Sequence, residues 1–551
     1  MATRKLDGIL WAAMVRAGEM NLHLHMEEVN DLNVFPIPDG DTGENMLLTV
    51  QGGVSALSDE NTNLSAVADV IAGGMLLGAR GNSGVILSQF FAGIAEGFHT
   101  YADADVHAIE KAVACGVGCA FESVMTPTEG TILTVMRDAG SYAGNRSCES
   151  VEEYFDAFIE EAKRALERTP TLLPVLQEAG VVDSGGAGLI YIVEGMYAAL
   201  CGNEIAAPEE VPAQQVHAID PSLFGEDDVM TFGYCTELLL RLQTCKTDPA
   251  SFDVGMLTEY LQNIGNSVVT VKNGSIVKLH VHTVTPYRVL EFCQRYGEFL
   301  TVKIENMMLQ HNDTVAQKEA APALADAVRE RRCFGVVTVA TGEGICRSFE
   351  EMGADEVIFG GQTNNPSAED FVNAFDRVNA DTVFVLPNNG NVLLAARQAA
   401  QIYRGSDVRV IPTRSIGDGY AVLSMLDFDS GDADTVEAQM NEAMDGVLTA
   451  EVSRSIRDAE MNGVRIRTGD YIGILGKQII ASGTDREEIA CASLDALDPA
   501  VHGVLLVIRG KGVSETDASV LTSYIKKKYP LTEVCESDGG QDIYDYILVA
   551  E

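Results

Sequence analysis

From Leu6 to about Leu200 the apolar residues recur mostly at helical spacing, and four glycine-dense breaks interrupt them. Spacings of three and four residues put an apolar stripe on each helix, and such stripes must be buried against one another. Val151 to Leu166 and Leu189 to Leu200 follow this pattern, while β-branched alternating runs are scarce. An all-helical region is predicted. Its breaks, Pro38 to Gly43, Gly78 to Gly84, Glu129-Gly130 and Asp183 to Gly188, are too polar or too rich in glycine for a helix interior and read as connectors. The chemistry is expected in these connectors.

With 551 residues the chain exceeds what one core supports, so roughly two to four domains are expected. Periodicity breaks between Ala206 and Asp220, where two prolines suit a linker, and again near Gln317 to Asp326. These breaks predict domains at 1–205, 206–328 and 329–551. In the middle segment, Val268 to Val271 and Ile276 to Val281 flank Lys272-Asn273-Gly274-Ser275, the pattern of a hairpin in an α+β domain. Beyond it, Phe334 to Ala340, Glu356 to Phe359, Thr382 to Leu386 and Val408 to Ile411 alternate with helical stretches, which predicts a parallel α/β sheet. Gly503 to Ile508 and Ile543 to Val549 add strands around a helix at Thr516 to Lys528.

Lys and Arg number 38 against 81 Asp and Glu, a formal charge of −43. That charge repels phosphate backbones and anionic lipid, so nucleic acid and membrane surfaces are excluded as expected partners. No run of about 18 apolar residues occurs, so no integral membrane segment is expected. The polar, mixed N-terminus and eleven scattered cysteines without a CxxC pair predict a reducing, cytoplasmic compartment. Cys115, Cys119 and Cys293 are expected to be core residues.

Asn33 to Met46, with Asp39-Gly40-Asp41 at its centre, is the most informative stretch. Two carboxylates separated by one glycine can converge on a hard cation, and oxygen donors at this density suit Mg²⁺. The same run also suits a plain turn capping the helix that begins near Gly43. A second element, Gly78 to Gln89, opens an apolar helix, where backbone N–H groups can approach phosphate oxygens. It has neither the P-loop nor the Rossmann form.

Together with Glu129 to Val135 and Val181 to Gly188, these stretches resemble the nucleotide-binding domain of dihydroxyacetone kinases. Over the whole chain the resemblance is to the large, ATP-binding subunit of bacterial fatty-acid kinase. It implies an antiparallel helical barrel with ATP and two Mg²⁺ ions at one rim. Asp39 and Asp41 would be the catalytic metal ligands. Gly81, Asn82, Ser83, Gly84 and Ser88 would cradle phosphate, Thr42 and Thr131 would lie near the nucleotide, and Asp183, Gly185 and Gly186 would belong to a flexible lid. The third metal-ligating aspartate of dihydroxyacetone kinases is missing here, leaving Asn33 or Asn45 as substitutes.

The implied reaction is phosphorylation of a fatty-acid carboxylate, carried by a separate DegV-type fatty-acid-binding protein, to an acyl phosphate. A carboxylate is already ionised at pH 7 and needs no general base. The alternatives are a kinase for a small hydroxylated metabolite and a non-catalytic nucleotide-binding regulator.

In the middle domain His280 and His282 share one face of a strand, and with Cys235 they form a plausible Zn²⁺ set, against a reading as ordinary strand residues. His311 is a weaker addition. Gly360 to Ser367 and Leu386 to Asn391 follow strands where α/β sheets place ligand loops, and equally suit plain turns. This last region resembles the DegV-like domain of the same kinase component, which implies carrier docking or a homodimer rather than catalysis.

Overall fold

In this computed structural model the described residues are 5–33, 40–57, 62–203, 234–243, 246–247, 252, 254–262, 264, 266–273, 276–283, 285–306, 331–362, 364–428 and 431–551. Asp39, His311 and both expected linkers lie outside them. So do the side chains of Cys235, His280 and His282.

The first region comprises β1 (Leu6–Asp7), α1 (Gly8–Leu24), α2 (Met26–Asp31), α3 (Thr42–Ser55), α4 (Leu64–Gly78), α5 (Gly81–Gly97), β2 (Asp103–Ala104), α6 (Val106–Glu122), α7 (Ile132–Gly144), α8 (Val151–Leu172), α9 (Pro174–Ala179) and α10 (Ser184–Leu200). Packing runs α1, α3, α4, α5, α6, α7, α8, α10 and back to α1, so the ring of helices closes on itself. Inside it, Trp11, Phe90, Phe91, Phe98, Tyr154 and Phe158 face an apolar cavity of about 30 Å³. The helices are apolar on their inner stripes and polar outside, as the spacing predicts.

Contrary to expectation, the glycine-dense breaks are largely not connectors: Gly43 lies in α3, Gly81 and Gly84 open α5, and Gly185, Gly186 and Gly188 lie in the first turns of α10. Close packing is the reason. A Cβ at Gly84 would sit 2.4 Å from Thr49 Oγ1, and one at Gly188 would sit 2.7 Å from the Met46 sulfur. Cys115 and Cys119 are half-buried rather than core residues, whereas Cys293 is buried.

Met1–Glu210 and Arg329–Glu551 form one compact unit, and Val211–Val328 a second. The second unit holds β3 (Tyr234–Leu242), α11 (Val254–Gln262), β4 (Asn266–Asn273), β5 (Ile276–Thr283), α12 (Pro286–Cys293) and β6 (Gly297–Asn306), with an antiparallel sheet in the order β4-β5-β3-β6. Its hairpin falls where the Asn-Gly pattern puts it. Register pairs Cys235 with His282 and Glu237 with His280.

The rest of the first unit begins with β7 (Arg332–Ala340), α13 (Glu343–Glu351), β8 (Glu356–Phe359), α14 (Ala368–Val378), β9 (Ala380–Leu386), α15 (Leu393–Ile402), β10 (Asp407–Val410), α16 (Ile416–Ser424) and α17 (Ala433–Ala443). Its sheet is parallel, ordered β10-β9-β7-β8. The nearly continuous apolar β7 is buried on both faces, as a central parallel strand must be.

There follow β11 (Leu448–Arg454), β12 (Ala459–Met461), β13 (Val464–Ile466), β14 (Tyr471–Leu475), β15 (Gln478–Gly483), α18 (Arg486–Ala496), β16 (Val504–Arg509), α19 (Glu515–Lys528), β17 (Glu533–Asp538) and β18 (Tyr544–Ala550). They build a mixed sheet, β15-β14-β11-β18-β16-β17. Among the described residues no helix is long and apolar enough to cross a membrane.

Candidate active site

Helix ends differ around the ring. Helices α1, α4, α6 and α8 are each capped by the residue before them: Asp7, Asn63, Asp105 and Ser150 accept backbone N–H groups of the first turn. No side-chain cap of this kind closes α3, α5 or α7, where Asp41, Arg80 and Thr131 hold the capping position. Free N–H groups and the positive end of the helix dipole make such termini favourable for anions.

These ends lie together, with the Gly43 N–H of α3 taken by Asn30 and the Ile132 N–H of α7 by Asp183. Asn45 donates its backbone N–H to the Asp41 carbonyl (2.8 Å), and its side-chain amide lies against Gly81. Gly81 has φ +58°, a left-handed conformation that favours glycine, and a Cβ there would meet Asn45 Nδ2 at 2.7 Å. Thr49 Oγ1 donates to the Asn45 carbonyl (2.6 Å) and accepts the Arg80 N–H (3.3 Å), tying α3 to the start of α5. Ser184 donates to Thr42 Oγ1 (3.4 Å), and a Cβ at Gly185 would lie 3.3 Å from Ser83 Oγ and from Ile132 Cβ. The first turns of α3, α5, α7 and α10 therefore converge.

Asp41 is 9% exposed. Its Oδ2 accepts from Asn365 Nδ2, a side chain from the loop after β8 that is itself 2% exposed. Asp183 caps α10 through Gly186 N–H (2.7 Å). Burial pushes its carboxyl up to about 6, against the opposing pull of N–H donors from Gly186 and Ile132. Asp183, Gly185 and Gly186, expected in a lid, stand here at the start of α10, with the Asp183 N–H held by Thr169 Oγ1 (3.1 Å).

Ser88 also departs from expectation. It is fully buried, and its hydroxyl is engaged with the Val85 carbonyl (2.8 Å) and Gln398 Oε1 (3.3 Å), so it is withdrawn from the phosphate set. Thr131 directs its hydroxyl to the Thr128 carbonyl (2.8 Å). Asn33 follows α2, with its N–H on the Asn30 carbonyl (3.1 Å), and Asn30 Oδ1 accepts the Gly43 N–H (2.7 Å).

The partners of two residues in the Gly78 to Gln89 element are not legible from sequence. Asn82 donates to Asn391 Oδ1 (3.1 Å), and Arg80 reaches the Asn365 carbonyl (3.2 Å). Both partners lie in the loops after β8 and β9, which the turn chemistry marked as ligand loops without saying what they face. Elsewhere Glu96, Cys115 and Cys119 lie within 4.8 Å of one another, but burial and the nearby carboxylate push the Cys115 thiol up to about 11, which opposes thiolate ligation.

Three family models match in order: the DAK2 domain over residues 36–198, the middle domain of FakA-like fatty acid kinases over 231–314, and their C-terminal domain over 335–551. Protein YloV of Bacillus subtilis is 39% identical over 560 residues, with 100% of both chains covered. The chain belongs to the FakA-like fatty acid kinase family. It is a kinase, and a fatty-acid kinase component.

Among solved structures, dihydroxyacetone kinase from C. freundii in complex with AMP-PNP and Mg²⁺ is similar over 34% of this chain and 33% of its own, at 20% identity and TM-score 0.27. DegV from Bacillus subtilis, a fatty acid binding protein, is similar over 40% of this chain and 99% of its own, at 12% identity and TM-score 0.31.

Proposed function

We propose that the chain transfers the γ-phosphoryl group of ATP to a fatty-acid carboxylate, presented by a separate DegV-type fatty-acid-binding protein, to give an acyl phosphate and ADP. The observation that carries this is the convergence of helix starts around the buried Asp41 carboxylate, in a chain of the FakA-like family. A family defined as one component of fatty acid kinase supports a second component that carries the acceptor.

Residues here fit Mg²⁺. Asp41 brings a hard carboxylate oxygen, to which the sequence adds Asp39 two positions earlier, and the buried Asn365 Oδ1 beside Asp41 has no hydrogen-bond partner among the described residues. When bound, Mg²⁺ ions would neutralise phosphate charge as it shifts toward the leaving oxygen. The N–H groups at the start of α5 would hold phosphate oxygens, and Gly81 would let the backbone approach them closely. A carboxylate oxygen attacks the γ-phosphorus, the bond to the β,γ-bridging oxygen breaks, and ADP leaves with the electron pair. No proton moves.

The test is label transfer from γ-labelled ATP to fatty acid with carrier present, the product trapped as a hydroxamate. Failure of transfer at saturating Mg²⁺ would remove the proposal. A hydroxylated acceptor is the second reading, favoured by Asp183, whose raised carboxyl would suit a base. In that case D183N abolishes turnover, whereas a carboxylate acceptor needs no base and turnover survives.

We extend the proposal to a Zn²⁺ ion at Cys235, His280 and His282, supported by the register that pairs Cys235 with His282. Elemental analysis of the purified chain tests it, and substoichiometric zinc rejects it.

A further inference from the structure

We infer that Asn365 supplies a side-chain oxygen to the divalent-cation site at Asp41, so that the C-terminal region completes the kinase site. The inference rests on the reading of Asp41 as a metal ligand, and it names an oxygen donor that sequence left open between Asn33 and Asn45.

Asn365 lies 324 residues from Asp41 in sequence, yet its Nδ2 donates to Asp41 Oδ2. The amide cannot swing away easily. The Asn365 backbone carbonyl accepts from Arg80 Nη1 at 3.2 Å, and Ala368 N–H bonds the Ala79 carbonyl at 3.2 Å. Between them Ser367 caps α14 in a reciprocal box, with Asp370 N–H on Ser367 Oγ (3.1 Å) and Ser367 N–H on Asp370 Oδ2 (2.7 Å). The loop is thus pinned to the two residues that precede the Gly81 to Gly84 turn.

With the nitrogen committed to Asp41, the amide oxygen is left buried with no partner among the described residues. Buried acceptors are rarely left so, and an unsatisfied one beside a carboxylate asks for a cation or a cation-bound water. A neutral amide suits this place better than a second acid. Its N–H holds Asp41 in position before the cation arrives, whereas a carboxylate would repel it. Mg²⁺ and Mn²⁺ both take carbonyl oxygen.

The experiment titrates Mg²⁺ into the full chain at fixed fluorescent ADP and reads the half-saturating Mg²⁺ concentration, with thermal unfolding to confirm the fold. N365A is expected to raise that concentration by roughly 10-fold or more, the range for residues supporting a metal site. Nucleotide binding without Mg²⁺ should stay unchanged. N365D, which keeps an oxygen donor, should hold the Mg²⁺ dependence but melt lower without the metal. Q398A, which cuts contacts to Ser88 and Gln89 between the same two regions, should leave the Mg²⁺ dependence alone.

Unaltered Mg²⁺ dependence in N365A overturns the inference, as does an equal shift in Q398A. Should N365A not fold, N365S is judged by the same titration. D41A separates the two levels: loss of Mg²⁺ dependence there with none in N365A removes only the role of Asn365, while retention in D41A removes the metal reading itself.

Discussion

Two half-buried carboxylates, one in the helical region and one in the sheet region, meet opposite surroundings. Asp183 stands where two helices begin and receives N–H groups from both, so burial raises its carboxyl only to about 6. Glu451, on the central strand β11, is offset only by the Tyr544 hydroxyl, feels the Asp418 charge, and is pushed up to about 7. Helix starts offer a ready-made field for negative charge, whereas a sheet interior offers almost none. An anion such as a triphosphate belongs on the helical side. The sheet side contributes neutral amides, with Asn365 and Asn391 on the helical motifs and Asn389 donating to Gln362 Oε1 (2.7 Å).

The largest expected effect tests that contrast directly. A carboxyl raised above its unfolded value holds its proton more tightly when folded, so nothing is lost below about pH 4, where both states are protonated. As pH climbs through the folded value, the folded chain must bury a charge and stability falls. E451Q removes that penalty, and from the rise of 4.5 to about 7 it should stabilise the chain by about 2–3 kcal/mol at pH 8 and by nothing at pH 4. D183N should gain less, because the ionised form is the one its N–H partners favour. Thermal unfolding across pH checks both, and a D183N gain equal to that of E451Q would break the comparison.

Next in size is a steric contrast within the helical region. G84A drives a Cβ into Thr49 Oγ1 at 2.4 Å and should destabilise by about 1–3 kcal/mol. G73A, at a helical glycine with nothing within 4 Å, should stabilise by about 0.5–1 kcal/mol. Chemical denaturation of the pair measures the difference, and equal stabilities would mean that the site's glycines are not there for packing.

The smallest effect sharpens the sheet side. S367A removes the cap of α14 and should lower stability by about 1 kcal/mol. Because the same residue anchors the Asn365 loop, faster amide exchange at residues 364–368 should accompany it. Loss of stability without faster exchange would separate the cap from the loop.

Much of this was legible in the residues. Helical spacing up to Leu200, the Asn-Gly hairpin and the parallel strands with Phe334 to Ala340 at their centre all depend on neighbours within a few positions, and all are found. The glycine runs misled because a glycine in a loop and a glycine under another helix look alike in sequence. Gly84 and Gly188 report the partner they pack against, which lies tens of residues away or more. Ser88 misled similarly, since a hydroxyl one turn past a phosphate-type turn gives no sign that it is fully buried.

Periodicity and turn chemistry by themselves determined the helical and parallel-sheet regions and the acidic motif at Asp41, because each is written within a short window of chain. Tertiary structure alone decided which helix starts lack a cap from the residue before them, that Asp183 receives N–H groups from two helices, and that Asn365 meets Asp41. Those outcomes depend on two surfaces fitting together across hundreds of residues, and the free energy of that fit belongs to the pair of surfaces and to neither stretch alone.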